Sequence, residues 1–323
     1  MKRMALQRMA LLSPVLLAAC SGAQSALDPA GRSAERIASL FWWMVAGSAV
    51  IWLAVVAGIV YALRTRRHHT ERSAGILIVG AGLIAPTVIL TILLVFGLAL
   101  LPDLLASPRG ALRIHVSGEQ YWWRVRYLLP SGEQFELANE IRIPVGDPVE
   151  ILLESPDVIH AFWIPPLAGK VDMIPGRVNR LTLEPKRTGV FRGVCAEFCG
   201  TSHALMAFDA VVLERDAFRV WLAQQRRPAA MRQSRGLELF LANGCDACHV
   251  IRGTPAAGVI GPDLTHVGSR LRLGAGTLKN DHDALSQWLV DTDRVKPGVL
   301  MPAYRMLPPQ DIHAIAEYLE ALQ

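Results

Sequence analysis

The 323-residue chain carries 33 Lys+Arg against 28 Asp+Glu, a net charge of +5, and is 52% hydrophobic but only 19% charged. That composition excludes a disordered chain and falls short of the roughly 25% charged residues of an ordinary soluble enzyme. Nine basic and three acidic residues lie in 1–72, none in 73–102, and 24 against 25 in 103–323, so the basicity is confined to the N-terminal third and no folded domain advertises a nucleic-acid partner.

Lys2, Arg3 and Arg8 precede an apolar run, residues 9–19, that ends at Cys20. This is the layout of a signal peptide over residues 1–19. The run is too short to span a bilayer, which takes about 20 apolar residues. Cys20 at the cleavage point resembles the lipobox of bacterial lipoproteins, which implies a lipid-acylated mature N-terminus there; the plain alternative is an incidental Cys. Residues 37–102 read as a hairpin of two transmembrane helices, with spans at about 40–63 and 75–101. Four Arg in the loop 64–72 place it in the cytoplasm of a bacterial plasma membrane, so everything beyond Pro102 lies on the outer, periplasmic side.

From 109 to 215 short β-rich runs alternate with turn residues: 112–116, 122–128, 135–143, 149–153, 178–183 and 210–213, broken at Gly146-Asp147-Pro148 and Pro175-Gly176. The pattern predicts a small antiparallel β-sandwich. His160 stands 35 residues before Cys195, which opens the run Cys195, Glu197, Cys199, His203, Met206. Thiolate, imidazole and thioether together select copper. One Cys with two His and a Met would make a mononuclear site; two thiolates four positions apart can bridge two ions, with one His for each, Met206 on one side and the Glu197 carbonyl on the other. A Cys195–Cys199 disulfide and a Cys₂His₂ zinc site are the competing readings.

Residues 37–215 resemble subunit II of haem–copper cytochrome c oxidases, through Val158-Ile-His-Ala-Phe-Trp-Ile-Pro165, Gly169-Lys-Val-Asp-Met-Ile-Pro-Gly-Arg177 and the Cys195–Met206 run. The resemblance implies a cupredoxin sandwich behind a membrane hairpin and a dinuclear CuA centre held by His160, Cys195, Glu197 through its carbonyl, Cys199, His203 and Met206. It also implies a Mg²⁺ contact for the Glu197 carboxylate at the interface with subunit I. The family's aromatic cluster usually reads Trp-Tyr-Trp, its first Trp being where electrons arrive; here it is Tyr121-Trp122-Trp123. The acidic residue that many members carry in the second span is missing from 73–102.

A polar, Pro-bearing stretch, 216–235, reads as a linker. Beyond it, Cys245-Asp-Ala-Cys248-His249 is the c-type haem attachment motif, with two thiols for the vinyl groups and His249 as proximal ligand. A Met is the usual sixth ligand, and Met301, followed by Pro302, is the candidate; Met306 reads as packing, and His266, His282 and His313 as surface residues. The flanking segments of 236–323 have helical periodicity and resemble class I cytochrome c, an all-α fold. The whole resembles the caa3-type fusions of bacterial haem–copper oxidases. It implies an electron-transport subunit that passes electrons from cytochrome c or a similar donor through haem c to CuA and on to haem in subunit I, where O₂ is reduced with proton translocation. The rival readings are an electron-input subunit of a nitric oxide reductase and a copper-handling lipoprotein.

Overall fold

The computed structural model describes residues 21–65, 70–105, 110–229 and 234–323. The signal segment and Cys20 lie outside the described residues. The chain divides into one unit of residues 36–106 and a second made of the segments on either side of it.

In the first unit, helix α1 (Arg32–Arg64) is followed by α2 (Glu71–Val79), a π-helical turn (Gly80–Ile84) and α3 (Ala85–Leu105). Thr70 caps α2 by accepting the Ser73 amide at 3.3 Å. The π turn falls on Gly80-Ala-Gly82, where two residues without Cβ tolerate the wider turn. Arg32–Arg64 and Glu71–Leu101, of 33 and 31 residues, are apolar and long enough to cross a membrane.

The second unit begins with a ten-strand β-sandwich. One sheet has the order β3-β2-β1-β5-β8, from Gln134–Ala138, Trp122–Leu128, Leu112–Glu119, Val149–Glu154 and Asn179–Leu183. The other has the order β4-β10-β9-β6-β7, from Glu140–Pro144, Ala207–Leu213, Gly189–Cys195, His160–Trp163 and Val171–Met173. Trp123, Tyr127, Phe162 and Phe208 fill the space between them, with the Phe162 and Phe208 rings stacked at 4.7 Å.

Three expectations about the sandwich and the segment after it need correction. The sandwich is not purely antiparallel, because β1 pairs with β5 and β4 with β10 in parallel. The single strand expected over 135–143 is two strands in different sheets. Its break is Asn139, at φ 60°, whose side-chain oxygen accepts the Trp123 amide at 2.9 Å. The supposed linker 216–235 contains helix α4 (Arg215–Gln225), which lays Phe218 and Trp221 into the sandwich core. All its polar residues but the buried Gln225 face solvent and mask the i, i+3 apolar pair. Strand β9 also escaped notice because Gly189 and Gly193 interrupt its pattern. At Gly193 a Cβ would stand 2.1 Å from the Phe208 ring, so the core aromatic dictates the glycine.

Residues 234–323 form a second core around Leu237, Phe240, Leu285, Ile312, Ile315 and Leu319. It is built from α5 (Arg235–Ala242), α6 (His282–Val290), α7 (Thr292–Val295) and α8 (Pro309–Glu320), with a two-residue ladder of β11 (Arg272–Leu273) and β12 (Leu278–Lys279). Ser234 and Asp281 cap α5 and α6. Gly236 lets α5 approach α8: a Cβ there would lie 2.3 Å from the Ala314 carbonyl oxygen. His266 is buried rather than at the surface, its ring nitrogens facing the carbonyls of Gln323 and Arg227 at 2.9 Å each. Met306 is exposed and does not pack.

The sandwich and the helical domain meet through paired charges and backbone groups. Glu140, buried on β4, accepts the Leu271 amide at 2.8 Å; Asp209, buried on β10, faces Arg272; and Arg124 donates to the Ile260 carbonyl at 2.9 Å. The Ala207 amide donates to Ala275 at 3.0 Å.

Candidate functional site

His160 opens β6, wholly buried, and Cys195 closes β9, the neighbouring strand of the same sheet. The loop that follows carries Glu197, Cys199, His203 and Met206 before β10 begins. The register sets Phe162 opposite Cys195, which leaves His160, two residues along on the same face, diagonal to that thiol, and a tight loop returns the remaining donors to them. The two sulfurs are 3.9 Å apart, about twice a disulfide bond length of about 2.05 Å, and both thiols are free. Each has its own imidazole: Cys195 Sγ is 3.8 Å from His160 Nδ1 and Cys199 Sγ is 3.6 Å from His203 Nδ1. The outer positions are also filled. The Glu197 carbonyl lies 3.1 Å from Cys195 Sγ and the Met206 sulfur 3.8 Å from Cys199 Sγ. All six residues predicted for this centre are in one place.

The electrostatics of the cluster favour one thiolate, at Cys195, over two. The Cys199 thiol, despite burial, holds Cys195 well below the usual thiol range, and His160 adds to this. Cys199 is correspondingly pushed up, since two thiolates this close repel. Burial alone would lower His160, but Cys195 and Asp157 outweigh it and raise its pKa. Asp157 Oδ1 faces His160 Nε2 at 2.8 Å and also accepts the Val158 amide, which fixes the ring with Nδ1 toward the sulfurs. The Glu197 carboxylate itself is exposed.

In the helical domain, His249 is buried and its Nδ1 donates to the Pro262 carbonyl at 2.9 Å, leaving Nε2 free. Burial lowers its pKa, which keeps the imidazole neutral. Gly261 lies against the ring, where a Cβ would be 2.5 Å from Cε1. Cys245 is buried and Cys248 partly so. Met301 stands apart, on the segment after α7. Its sulfur accepts from Trp288 Nε1 at 3.2 Å and its carbonyl from Thr292 at 2.8 Å. Tyr304, three residues on, ties this segment back to the Cys245 thiol at 3.9 Å.

Of the aromatic cluster, Tyr121 and Trp123 are buried, and Trp122, half-buried, lies under the Arg124 guanidinium at 4.6 Å. Tyr121 is covered by the helical domain: Lys296 Nζ donates to its carbonyl at 2.6 Å. Sequence reasoning missed Asp157, Ser202, Trp288 and Lys296. Only Asp157, three residues before His160, had a local signal.

Two family models match the chain: "Cytochrome C oxidase subunit II, periplasmic domain" over residues 128–214 and "Cytochrome c" over residues 233–323. Among curated proteins, a cytochrome c oxidase subunit 2 of Alkalihalophilus pseudofirmus is 39% identical over 65% of this chain and 61% of its own length. The chain thus spans about three fifths of that relative. A cytochrome c oxidase subunit 2 of Metridium senile is 30% identical over 57% of this chain and 80% of its own. Among solved structures, the periplasmic domain of subunit II of cytochrome oxidase of Bradyrhizobium japonicum is 32% identical over 38% of this chain and 97% of its own, with a TM-score of 0.35.

Proposed function

This chain belongs to the cytochrome c oxidase subunit II family, and from that membership we propose that it is the electron-input subunit of a terminal haem–copper oxidase. It takes electrons from cytochrome c or a similar donor at its C-terminal domain and passes them to a separate subunit I that reduces O₂. His160, Cys195, Cys199, His203, Met206 and the Glu197 carbonyl would hold a dinuclear copper centre; Cys245, Cys248, His249 and Met301 would hold covalent haem c. When bound, these groups supply two one-electron relays.

The observation that carries the copper reading is the two-sided donor set. Sulfurs 3.9 Å apart are closer than two metal–thiolate bonds of about 2.3 Å, the zinc value, so both can touch the same ion on either side of the S–S line. A separate imidazole on each sulfur matches two ions better than one, and soft donors match copper. Burial of His160, both Cys and Met206 keeps water away and limits reorganisation. Asp157 orients one ligand ring, and Pro262 fixes the His249 tautomer so that Nε2 would be the nitrogen offered to haem iron. Trp288 Nε1 donates to the Met301 sulfur at 3.2 Å, a bond that would hold the thioether when it serves as the iron's sixth ligand. On this reading the Glu197 carboxylate, exposed in the structure, would meet a Mg²⁺ ion shared with subunit I. Both folded domains are assigned to the outer side of a bacterial plasma membrane, with loop 64–72 in the cytoplasm and Cys20 carrying lipid.

Purification of the native complex tests this reading. It should contain a large haem–copper subunit, consume O₂ when given reduced cytochrome c, and show a mixed-valence dicopper EPR signal. A complex that consumes nitric oxide but not O₂, or a single-copper signal indifferent to Cys199→Ser, overturns it.

A further inference from the structure

The segment that carries Met301 is fastened to the copper-ligand region by residues that belong to neither motif. Lys296 is only 1% exposed, yet among the described residues no carboxylate pairs with it. Its Nζ donates to two backbone carbonyls, Tyr121 at 2.6 Å and Gly274 at 2.9 Å. One residue on, the Pro297 carbonyl accepts from Ser202 Oγ at 2.6 Å, and Ser202 is likewise 1% exposed and next to His203. Gly298, at φ +80°, rests on the Tyr121 ring, where a Cβ would stand 3.4 Å away. Tyr121 then reaches into the Cys199–His203 loop: its hydroxyl accepts the Thr201 amide at 3.1 Å.

A buried amine held only by carbonyls is a poor source of stability, because desolvation opposes it. Its pKa is accordingly driven down to about 7. What such a group supplies is direction: two carbonyls of fixed orientation, one from each domain, accept a single register. We propose that Lys296, with Ser202, is a positioning residue that locks the cytochrome c domain on the copper domain at one spacing and orientation, so that electrons pass between the two centres from a docked arrangement without a search step. The proposal rests on the reading above, with haem c and dinuclear copper in the same chain. The step moves one electron from reduced haem c to the oxidised copper pair and breaks no bond. Its rate falls steeply with separation, so a domain held by its connector alone would spend most of its time too far away.

The test uses the full chain in its oxidase complex with both centres loaded. A flash-generated reductant delivers one electron to haem c, and the transfer to copper is timed. Lys296→Met keeps the side-chain volume and removes both bonds. Without them the register is no longer specified, so part of the population should leave the docked arrangement, and transfer should split into a phase at the wild-type rate and phases about tenfold or more slower. The haem c potential should stay at its wild-type value in this variant and in Ser202→Ala, and the copper potential in Ser202→Ala, which removes no charge; Lys296 interacts electrostatically with Cys199, so its removal is not held to that criterion at copper. In parallel, the Leu271 and Ala207 amides, bonded across the interface to Glu140 and Ala275, should exchange with solvent faster. Ser202→Ala should move the rate and the exchange the same way by less, and it decides the matter if Lys296→Met fails to load haem. An unchanged single-phase rate in the variants overturns the proposal, as does a slowed rate that comes with a shift in a potential held to that criterion and unchanged exchange. If wild-type haem c itself passes no electron to copper, the functional reading falls instead.

Discussion

Replacing Gly261 by Ala adds one methyl group to the face of the His249 imidazole. The new Cβ would stand 2.5 Å from His249 Cε1, 2.8 Å from Nδ1 and 3.0 Å from Nε2. Carbon atoms in contact prefer about 3.5–4.0 Å, so something must yield by about 1 Å. The ring cannot tilt away freely, because Nδ1 is bonded to the carbonyl of Pro262, the very next residue, at 2.9 Å. The backbone cannot retreat either, because the Gly261 amide donates to Cys248 at 2.8 Å. Overpacking costs about 1–3 kcal/mol, and a lost buried hydrogen bond adds about 1 kcal/mol. Together they destabilise the helical domain by about 2–4 kcal/mol. For a domain of this size each kcal/mol lowers Tm by about 4–8 °C, so calorimetry of the full chain should show its haem-domain transition fall by about 8 °C or more. The haem spectrum should report altered axial ligation at the same time. Gly244→Ala is the control. It has φ +72° but open space around its Cβ, so it should cost about 1–2 kcal/mol of backbone strain and leave the haem spectrum alone. A Gly261→Ala protein with wild-type Tm and unchanged ligation would refute the close-packing argument.

Asp157→Asn keeps the shape at His160 but weakens the partner of its Nε2; copper affinity should drop about 10–100-fold in a chelator competition, and unchanged affinity would remove Asp157 from the site. Lys296 titrates near 7 when folded against 10.5 as a free side chain, because burial penalises its charge, with Cys199 pulling the other way. Between those values the unfolded chain binds more protons, so stability should rise with pH from about 7 to about 10.5 and be lowest below about 7. Melting curves across that window should be flatter for Lys296→Met than for wild type, and parallel curves would count against a buried, titrating amine.

Much of the site was legible before any coordinates. Cys195, Cys199, His203 and Met206 lie within twelve consecutive positions, and Cys245, Cys248 and His249 within five, so local backbone geometry alone brings each set near one centre. The order of domains followed from composition, since two uncharged runs, a β-rich stretch and a helical tail differ in periodicity. The strands that slipped through, β6, β7 and β9, are short or interrupted by glycine, and at Gly193 the reason is a ring from another strand, Phe208. Asn139 was read as mid-strand because nothing local marks a sheet switch; its φ of 60° is stabilised by an amide sixteen residues away.

What the amino-acid sequence determined by itself was the chemistry: which side chains are soft donors, and at what spacing. The tertiary structure alone decided how the helical domain rests on the sandwich. Bulk charge near neutrality in residues 103–323 concealed Glu140 and Asp209 set against the Leu271 amide and Arg272. Lys296 and Tyr121 are 175 positions apart, beyond any periodicity. A lysine in a loop reads as solvated until the fold closes over it, and only the packed interface turns its two carbonyl bonds into a statement about where one domain must sit.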